Sequence, residues 1–339
     1  MWRAMRSVFV TGATGFIGRH LVRGLLDRGC AVRCLVRSRD RAKPLATTGA
    51  QLVVGTLAAP DGWQHALAGC DVVFHAGGLV AARTRSELHA VNATATAALA
   101  DACAAVESPP RLVHFSSLAA AGPVPRNAAP RDEASAPTPI SQYGRSKLAG
   151  DLELSARAAR LPITLLRPGV VFGPQDTKVT QIFQMIATLR LHLLMGFHDP
   201  PLSLIHVADL VTLAIAAADR GRRLDGGTDG TGIYHACDDR EHPTYAALGR
   251  RIAAALDRSV VVLPLPLVLA LPTAAVVATC WNVLGQASIV SPDKLREATV
   301  PSWAASAAQA RHDLGFEPAA TLDTRLRETA DWLRSARLV

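Results

Sequence analysis

The stretch that decides the fold runs Ser7-Val8-Phe9-Val10-Thr11-Gly12-Ala13-Thr14-Gly15-Phe16-Ile17-Gly18 and passes at Arg19 into a helix-forming segment. A short apolar strand, three glycines and a helix stand in the order that a phosphate-cradling turn requires. Gly12 permits the tight turn, Gly15 lets backbone approach a pyrophosphate, and Gly18 lets the helix pack close to the sheet. The helix's unpaired N–H groups point at the phosphates. Thr11, Thr14, Phe16 and Ile17 therefore join the three glycines as candidate cofactor-binding residues.

Outward from this turn, apolar runs at 8–10, 31–36, 51–54, 71–75, 112–115 and 163–166 alternate with helical patterns. That alternation predicts βαβ units and an α/β, doubly wound parallel sheet. Gly29, Gly69 and Pro109-Pro110 punctuate the helices. The proline-rich stretch 120–139 reads as a surface loop. After Gly173-Pro174 the alternation decays, and a second set of elements is expected: a strand at 203–207, a helix at 208–219, a loop at 221–232, a strand at 233–236 and a helix opening at Thr244. The expected division is a dinucleotide-binding domain at 1–174 and a smaller, mostly helical substrate lobe at 175–339, some of whose segments return to the first sheet.

The second strand ends Cys34-Leu35-Val36, and Arg37 follows where a dinucleotide site shows its preference at the ribose 2′ position. With Arg39 and Arg41 close behind, a guanidinium can clamp a 2′-phosphate in bidentate fashion. NADP(H) is the cofactor expected, with NAD(H) as the alternative, since Asp40 comes three residues late for a ribose hydroxyl.

Tyr143 and Lys147, in Tyr-Gly-Arg-Ser-Lys, lie four apart and hence on one face of a helix. A nearby ammonium and the positive nicotinamide both favour phenolate, so the pairing is expected to pull the Tyr143 pKa down from about 10 toward working pH and let it exchange a proton with a substrate hydroxyl. Lys147 would also hold the ribose. Leu112-Val113-His114-Phe115-Ser116-Ser117 reads as a strand ending in a polar pair, and Ser117 is the candidate hydroxyl for the reacting oxygen, with Ser116 as its structural neighbour.

The 339 residues are 49% hydrophobic and 19% charged, and 36 Lys and Arg against 28 Asp and Glu leave a formal charge of +8. The composition excludes a disordered chain. Its cations do not cluster with its 5% aromatics, so no nucleic-acid partner is expected. Cysteines at 30, 34, 70, 103, 237 and 280 suit neither a metal site nor a disulfide scaffold, which suggests reduced thiols and a cytoplasmic protein. The N-terminal start resembles a signal peptide only until Thr11 and the glycines interrupt its apolar run. The segment 259–281 carries no charge but is broken by Pro264, Pro266 and Pro272. Buried or lid helices over a substrate, a peripheral surface touching lipid, and a membrane span all stay open for it.

The Thr-opened Gly-x-x-Gly-x-x-Gly spacing resembles the extended short-chain dehydrogenase/reductase superfamily of NAD(P)-dependent epimerases and dehydratases, whose fold is Rossmann-like. Ser117, Tyr143 and Lys147 match that family's catalytic arrangement. The resemblance implies that His75, Ala76 and Gly77 line the cofactor, that Gly55-Thr56-Leu57 forms the adenine-side turn with Thr56 in place of an acid, and that Asn92 is a polar anchor beneath the site, although a surface helix cap remains open for it. It also implies that Pro168, Gly169 and Val171 meet the nicotinamide amide. Val170 and Leu202-Ser203 replace groups that nucleotide-sugar enzymes use, and His206 and Asp209 can be merely structural. The likeness is greatest to the 3β-hydroxysteroid dehydrogenase and dihydroflavonol reductase branch. An alcohol–ketone oxidoreductase acting on a small hydrophobic substrate is thus expected, with a homodimer usual in the family. A nucleotide-sugar epimerase or dehydratase and a non-catalytic NADP-binding regulator are the alternatives.

Overall fold

A computed structural model describes residues 6–227, 229–268 and 292–339. Seven parallel strands form the central sheet: β1 (Ser7–Thr11), β2 (Ala31–Val36), β3 (Gln51–Val54), β4 (Val72–His75), β5 (Arg111–Phe115), β6 (Ile163–Pro168) and, from much later in the chain, Ile233–Ala236. Their order is β3-β2-β1-β4-β5-β6 followed by that late strand. The order reverses between β1 and β4, so the crevice beyond their C-terminal ends is where a ligand belongs.

Alternation along β1 explains the two layers flanking the sheet. Val8 and Val10 face one core with Leu21, Val22 and Leu25 of α1 (Phe16–Leu26), while Phe9 faces the other with Trp63, Val73 and Leu99. In α1 the buried positions Gly18, Leu21, Val22 and Leu25 follow the helical period. Trp63 is fully buried, stacks on Phe9 at 5.6 Å between ring centroids, and donates its indole N–H to the Thr56 carbonyl at 2.7 Å. Trp63→Ala should therefore cost about 3–5 kcal/mol. A shift of the denaturation midpoint measures it, and loss under about 1 kcal/mol would show that the second core repacks freely.

Beyond β6 lie β7 (Val170–Phe172), β8 (Leu191–Met195) and β9 (Leu204–His206), then β10 (Ile233–Ala236) in the main sheet and β11 (Val261–Leu265). The strand expected at 203–207 thus forms as β9, and it pairs with β7 outside the main sheet. The loop at 120–139 is pinned rather than superficial. Buried Arg131 donates to the carbonyls of Ala136 and Pro123 and to Thr138 Oγ1, while Glu133 accepts the His235 N–H of β10 at 2.7 Å. Burial pushes the Glu133 carboxyl up to about 7.

Only 259–268 of the charge-free segment is described, and this part departs from the helical expectation by forming the strand β11 beside β8. Positions 269–281 lie outside the described residues. Among the described residues no helix is long and apolar enough to cross a membrane.

Candidate active site

The glycine turn has the geometry its sequence demands. Gly12 sits at φ 71°, and a Cβ there would lie 2.5 Å from the Ala76 carbonyl carbon. At Gly18 a Cβ would come within 2.1 Å of the Gly12 oxygen, so α1 could not approach the turn. The first turn of α1 has no side-chain cap and no acid, leaving its N–H groups available to an anion. Thr14 and Gly15 are exposed, and Phe16 and Ile17 half-buried, at that opening. This uncapped helix start above three backbone-tight glycines fits a dinucleotide pyrophosphate.

Arg37 leaves the C-terminal end of β2 exposed. Among the described residues its side chain has neither a carboxylate nor a hydrogen-bond partner, whereas Asp40 pairs with Lys43 at 3.1 Å. Asp40 is thus occupied while Arg37 is available for a phosphate. Thr56 is exposed and accepts the Ala58 N–H at 3.2 Å, and Leu57 is half-buried beside Gly77.

Two expected cofactor contacts are internal instead. His75 is 0% and Thr11 1% exposed. Thr96 Oγ1 donates to the Asn92 carbonyl at 3.0 Å, so it accepts from His75 Nε2–H at 2.9 Å, and His75 Nδ1 in turn accepts from Thr11 Oγ1–H at 2.7 Å. With both ring nitrogens engaged and no surface, His75 ties β1 to the Asn92 turn beneath the cofactor instead of touching it. Burial lowers its pKa to about 3, which keeps it neutral. Ala76 and Gly77 remain half-buried at the crevice.

The anchor reading of Asn92 holds, and the surface-cap reading does not, because the residue is fully buried within a π-helical turn, Ala90–Thr94. Its amide donates to the Leu79 carbonyl at 2.8 Å and to Ser146 Oγ at 2.9 Å, and its carbonyl accepts the Leu79 N–H. Ser146 Oγ donates to the Tyr143 carbonyl at 2.7 Å, which fixes the first turn of the helix Gln142–Ser155.

Ser141 caps that helix, placing Tyr143 and Lys147 on one face toward the end of β5. Ser117 Oγ accepts the Ala119 N–H at 3.1 Å, leaving its own proton for the Tyr143 phenol, to which it is hydrogen-bonded. Ser116 Oγ is buried without a partner. Ser117 rather than its neighbour therefore meets the phenol, and Lys147 follows one helical turn after Tyr143. In the protein alone the phenol is less acidic than a free tyrosine. Burial pushes it up to about 12 and the carboxylates of Glu297 and Asp151 push the same way, against a lowering by the Ser117 hydroxyl. The lysine is drawn rearward, donating to the Phe115 carbonyl at 2.7 Å and lying 3.3 Å from His114 Nε2. Burial lowers its pKa to about 8.

Behind it, Asp151 accepts from Arg167 Nε at 3.1 Å, a buried pair that sequence spacing did not reveal. The available signal was Asp151 one helical turn after Lys147 and a histidine in an otherwise apolar strand. Gly169 passes so close to the Ser203 carbonyl, 2.2 Å from a notional Cβ, that only glycine fits; beside it Pro168 is buried and Val171 half-buried. Val170 is 41% exposed. His206 and Asp209 are structural. His206 Nδ1 accepts the Ala208 N–H, and Asp209 takes a bidentate pair with Arg325 at 2.6 and 3.0 Å.

On the far wall, the register of β8 and β11 puts Leu191, Leu193 and Met195 on one face with Val261, Leu263 and Leu265. Met195 and Leu265 pack on Leu295 of the helix Pro292–Ala298, and Asp293 of that helix accepts the Gln142 N–H beside Tyr143. One end of this apolar face thus touches the helix that holds the backbone just before Tyr143. Among the described residues no group of His, Cys, Asp or Glu could hold a metal ion.

The model of the NAD dependent epimerase/dehydratase family matches residues 8–230. The chain is 34% identical over 217 residues to a 4-hydroxy-2-methyl-3-oxo-4-farnesyl-3,4-dihydroquinoline-1-oxide ketoreductase of Stigmatella aurantiaca, a match covering 63% of this chain and 64% of that relative's length. It is 30% identical to a ceramide reductase of Caulobacter vibrioides across 97% of this chain and 95% of the relative. Among solved structures, MoeE5 in complex with UDP-glucuronic acid and NAD superposes with a TM-score of 0.74 at 25% identity, over 97% of this chain and 99% of that one.

Proposed function

Because this chain belongs to the NAD dependent epimerase/dehydratase family and is an NAD(P)-dependent oxidoreductase of the extended short-chain type, we propose that it uses NADP(H) to interconvert a ketone and a secondary alcohol on a hydrophobic substrate. The observation that carries the proposal is the hydrogen bond between Ser117 and Tyr143 just beyond the end of β5, with Lys147 one helical turn on and bonded to the last carbonyl of that strand. The nicotinamide supplies or accepts the hydride. The protein's own part is to hold the reacting oxygen and to move its proton.

A phenol held at about 12 is protonated at neutral pH, so it serves as a general acid. As a ketone oxygen gains electron density, Tyr143 O–H gives it a proton and Ser117 O–H supports the phenolic oxygen that remains. The protonated phenol is the form from which ketone reduction starts. Oxidation would require the same phenol to be pulled down, which a positive ring nearby would favour. Val170 and the apolar face of β8 and β11 offer methyl groups where a charged nucleotide sugar would need donors, which weighs against the epimerase reading. An apolar ketone, like the farnesyl oxo compound in the name of one reductase relative, suits such a wall, and the other relative is named for a lipid, ceramide.

NADPH oxidation across ketosteroid, flavonoid, keto-sphingolipid and oxoester panels, with and without detergent, tests this. Consumption with an apolar ketone is expected. Turnover of a UDP- or dTDP-sugar without added cofactor would overturn it, and NADPH binding without consumption would favour a regulator. For the cofactor preference, Arg37→Asp should weaken NADPH by about 10–100-fold, the equivalent of one charge-assisted phosphate contact, and leave NADH unharmed. Parallel loss of both cofactors in a titration would remove Arg37 from the 2′-phosphate site.

A further inference from the structure

We propose that His114 is a positioning residue for the active-site lysine, its Nε2 forming with the Phe115 carbonyl a two-acceptor seat that fixes Lys147 Nζ. The inference rests on the oxidoreductase reading and deepens it. His114 lies mid-strand between the buried apolar residues Val113 and Phe115 and is itself fully buried. Its ring tilts against that of His75 at 4.9 Å between centroids. Nε2 is 3.3 Å from Lys147 Nζ and 3.9 Å from Asp151 Oδ1.

An ammonium can only donate, so Nε2 must present its lone pair and the ring proton must sit on Nδ1. Nδ1 is buried and has no partner among the described residues. A buried donor left unpaired weakens a fold, so packing alone would be better served there by Phe. The imidazole is accounted for by what its other nitrogen does. A single carbonyl would leave the ammonium free to swing on its four-carbon stem, and a second acceptor fixes the direction of Nζ.

The groups facing Lys147 come from every packed element. Asp151 and Tyr143 flank it on its own helix, His114 stands on β5 and His75 on β4, and Arg167 of β6 reaches it through Asp151. Burial keeps both histidines neutral, and the positive lysine pushes them the same way. Asp151 opposes the burial of the lysine. Removing a neutral acceptor from the ammonium therefore lowers the lysine's proton affinity further, and any property requiring the ammonium moves to lower pH.

His114→Phe keeps the ring and its packing on His75 but deletes the acceptor, and His114→Gln returns an acceptor near the Nε2 position. The readouts are NADPH dissociation constant as a function of pH, melting temperature, and kcat and KM on a ketone found for the wild type. For His114→Phe we expect a melting temperature close to wild type, an NADPH dissociation constant raised about tenfold at neutral pH and a binding midpoint displaced downward. His114→Gln should recover most of the affinity, and in a Lys147→Met background His114→Phe should add nothing. If the Phe variant is unstable, His114→Asn, too short to reach Nζ, should repeat the loss. Unchanged affinity and midpoint in His114→Phe, or equal impairment in the Gln variant, would overturn the seat. Wild-type protein that binds NADPH yet reduces no ketone would defeat the functional reading instead, while the binding arms still judge His114.

Discussion

Tyr143→Phe is expected to lower kcat/KM for ketone reduction by about 10²–10⁴-fold while leaving NADPH affinity within a few fold of wild type. The phenol's role is confined to the proton, because its ring packing survives the substitution and its hydroxyl partner is Ser117, not the nucleotide-binding turn. The raised phenol also sets the pH dependence. As general acid it must be protonated, so kcat should hold through neutral pH and fall only on the alkaline side. Stopped-flow NADPH oxidation with matched cofactor titrations checks both points. Activity retained within a few fold would remove Tyr143 from the chemistry.

The second large effect belongs to the glycine turn. Gly12→Ala forces a Cβ to within 2.5–2.6 Å of the Ala76 carbonyl group and the Gly77 nitrogen, and does so at φ 71°, where a side chain is strained by about 1–2 kcal/mol. The backbone must move, and it is the same backbone that lines the crevice below the nucleotide. NADPH affinity should therefore fall by about 10²-fold or more, since displacements near 1 Å at a positioning element have consequences of that size. Calorimetric titration with thermal melting separates lost affinity from lost fold. A variant that binds NADPH normally would place the dinucleotide elsewhere.

Features carried by short sequence intervals were legible before the structure. Gly12, Gly15 and Gly18 sit within one turn, and Tyr143 and Lys147 within one helical repeat, so their spacing alone aligns them. The six early strands were legible for the same reason, as each is a short apolar run between glycines or prolines. Burial and cross-element pairing were not. The ammonium four residues from Tyr143 is visible in the sequence, whereas the burial of the phenol and the carboxylate of Glu297, more than a hundred residues later, depend on tertiary closure. His75 read as a cofactor wall because the sequence shows its place after β4, not that Thr11 and Thr96 occupy its nitrogens. The Asp151–Arg167 pair joins a helix to a strand, and nothing in local periodicity links them. The 233–236 run was legible as a strand, but its partner was not, since an edge position in a parallel sheet is assigned by topology.

That edge position bears on how the chain is made. β6 is complete once residue 168 is synthesised, yet the neighbour that satisfies its outer hydrogen-bonding edge ends only at residue 236. At ~5–20 residues per second, ribosomal synthesis of the intervening stretch takes about 3–13 s. Throughout that delay the nascent sheet presents a bare parallel edge, the kind of surface on which neighbouring chains associate. A truncation before residue 233 would leave that edge bare for good, and a lower soluble yield of the fragment is expected.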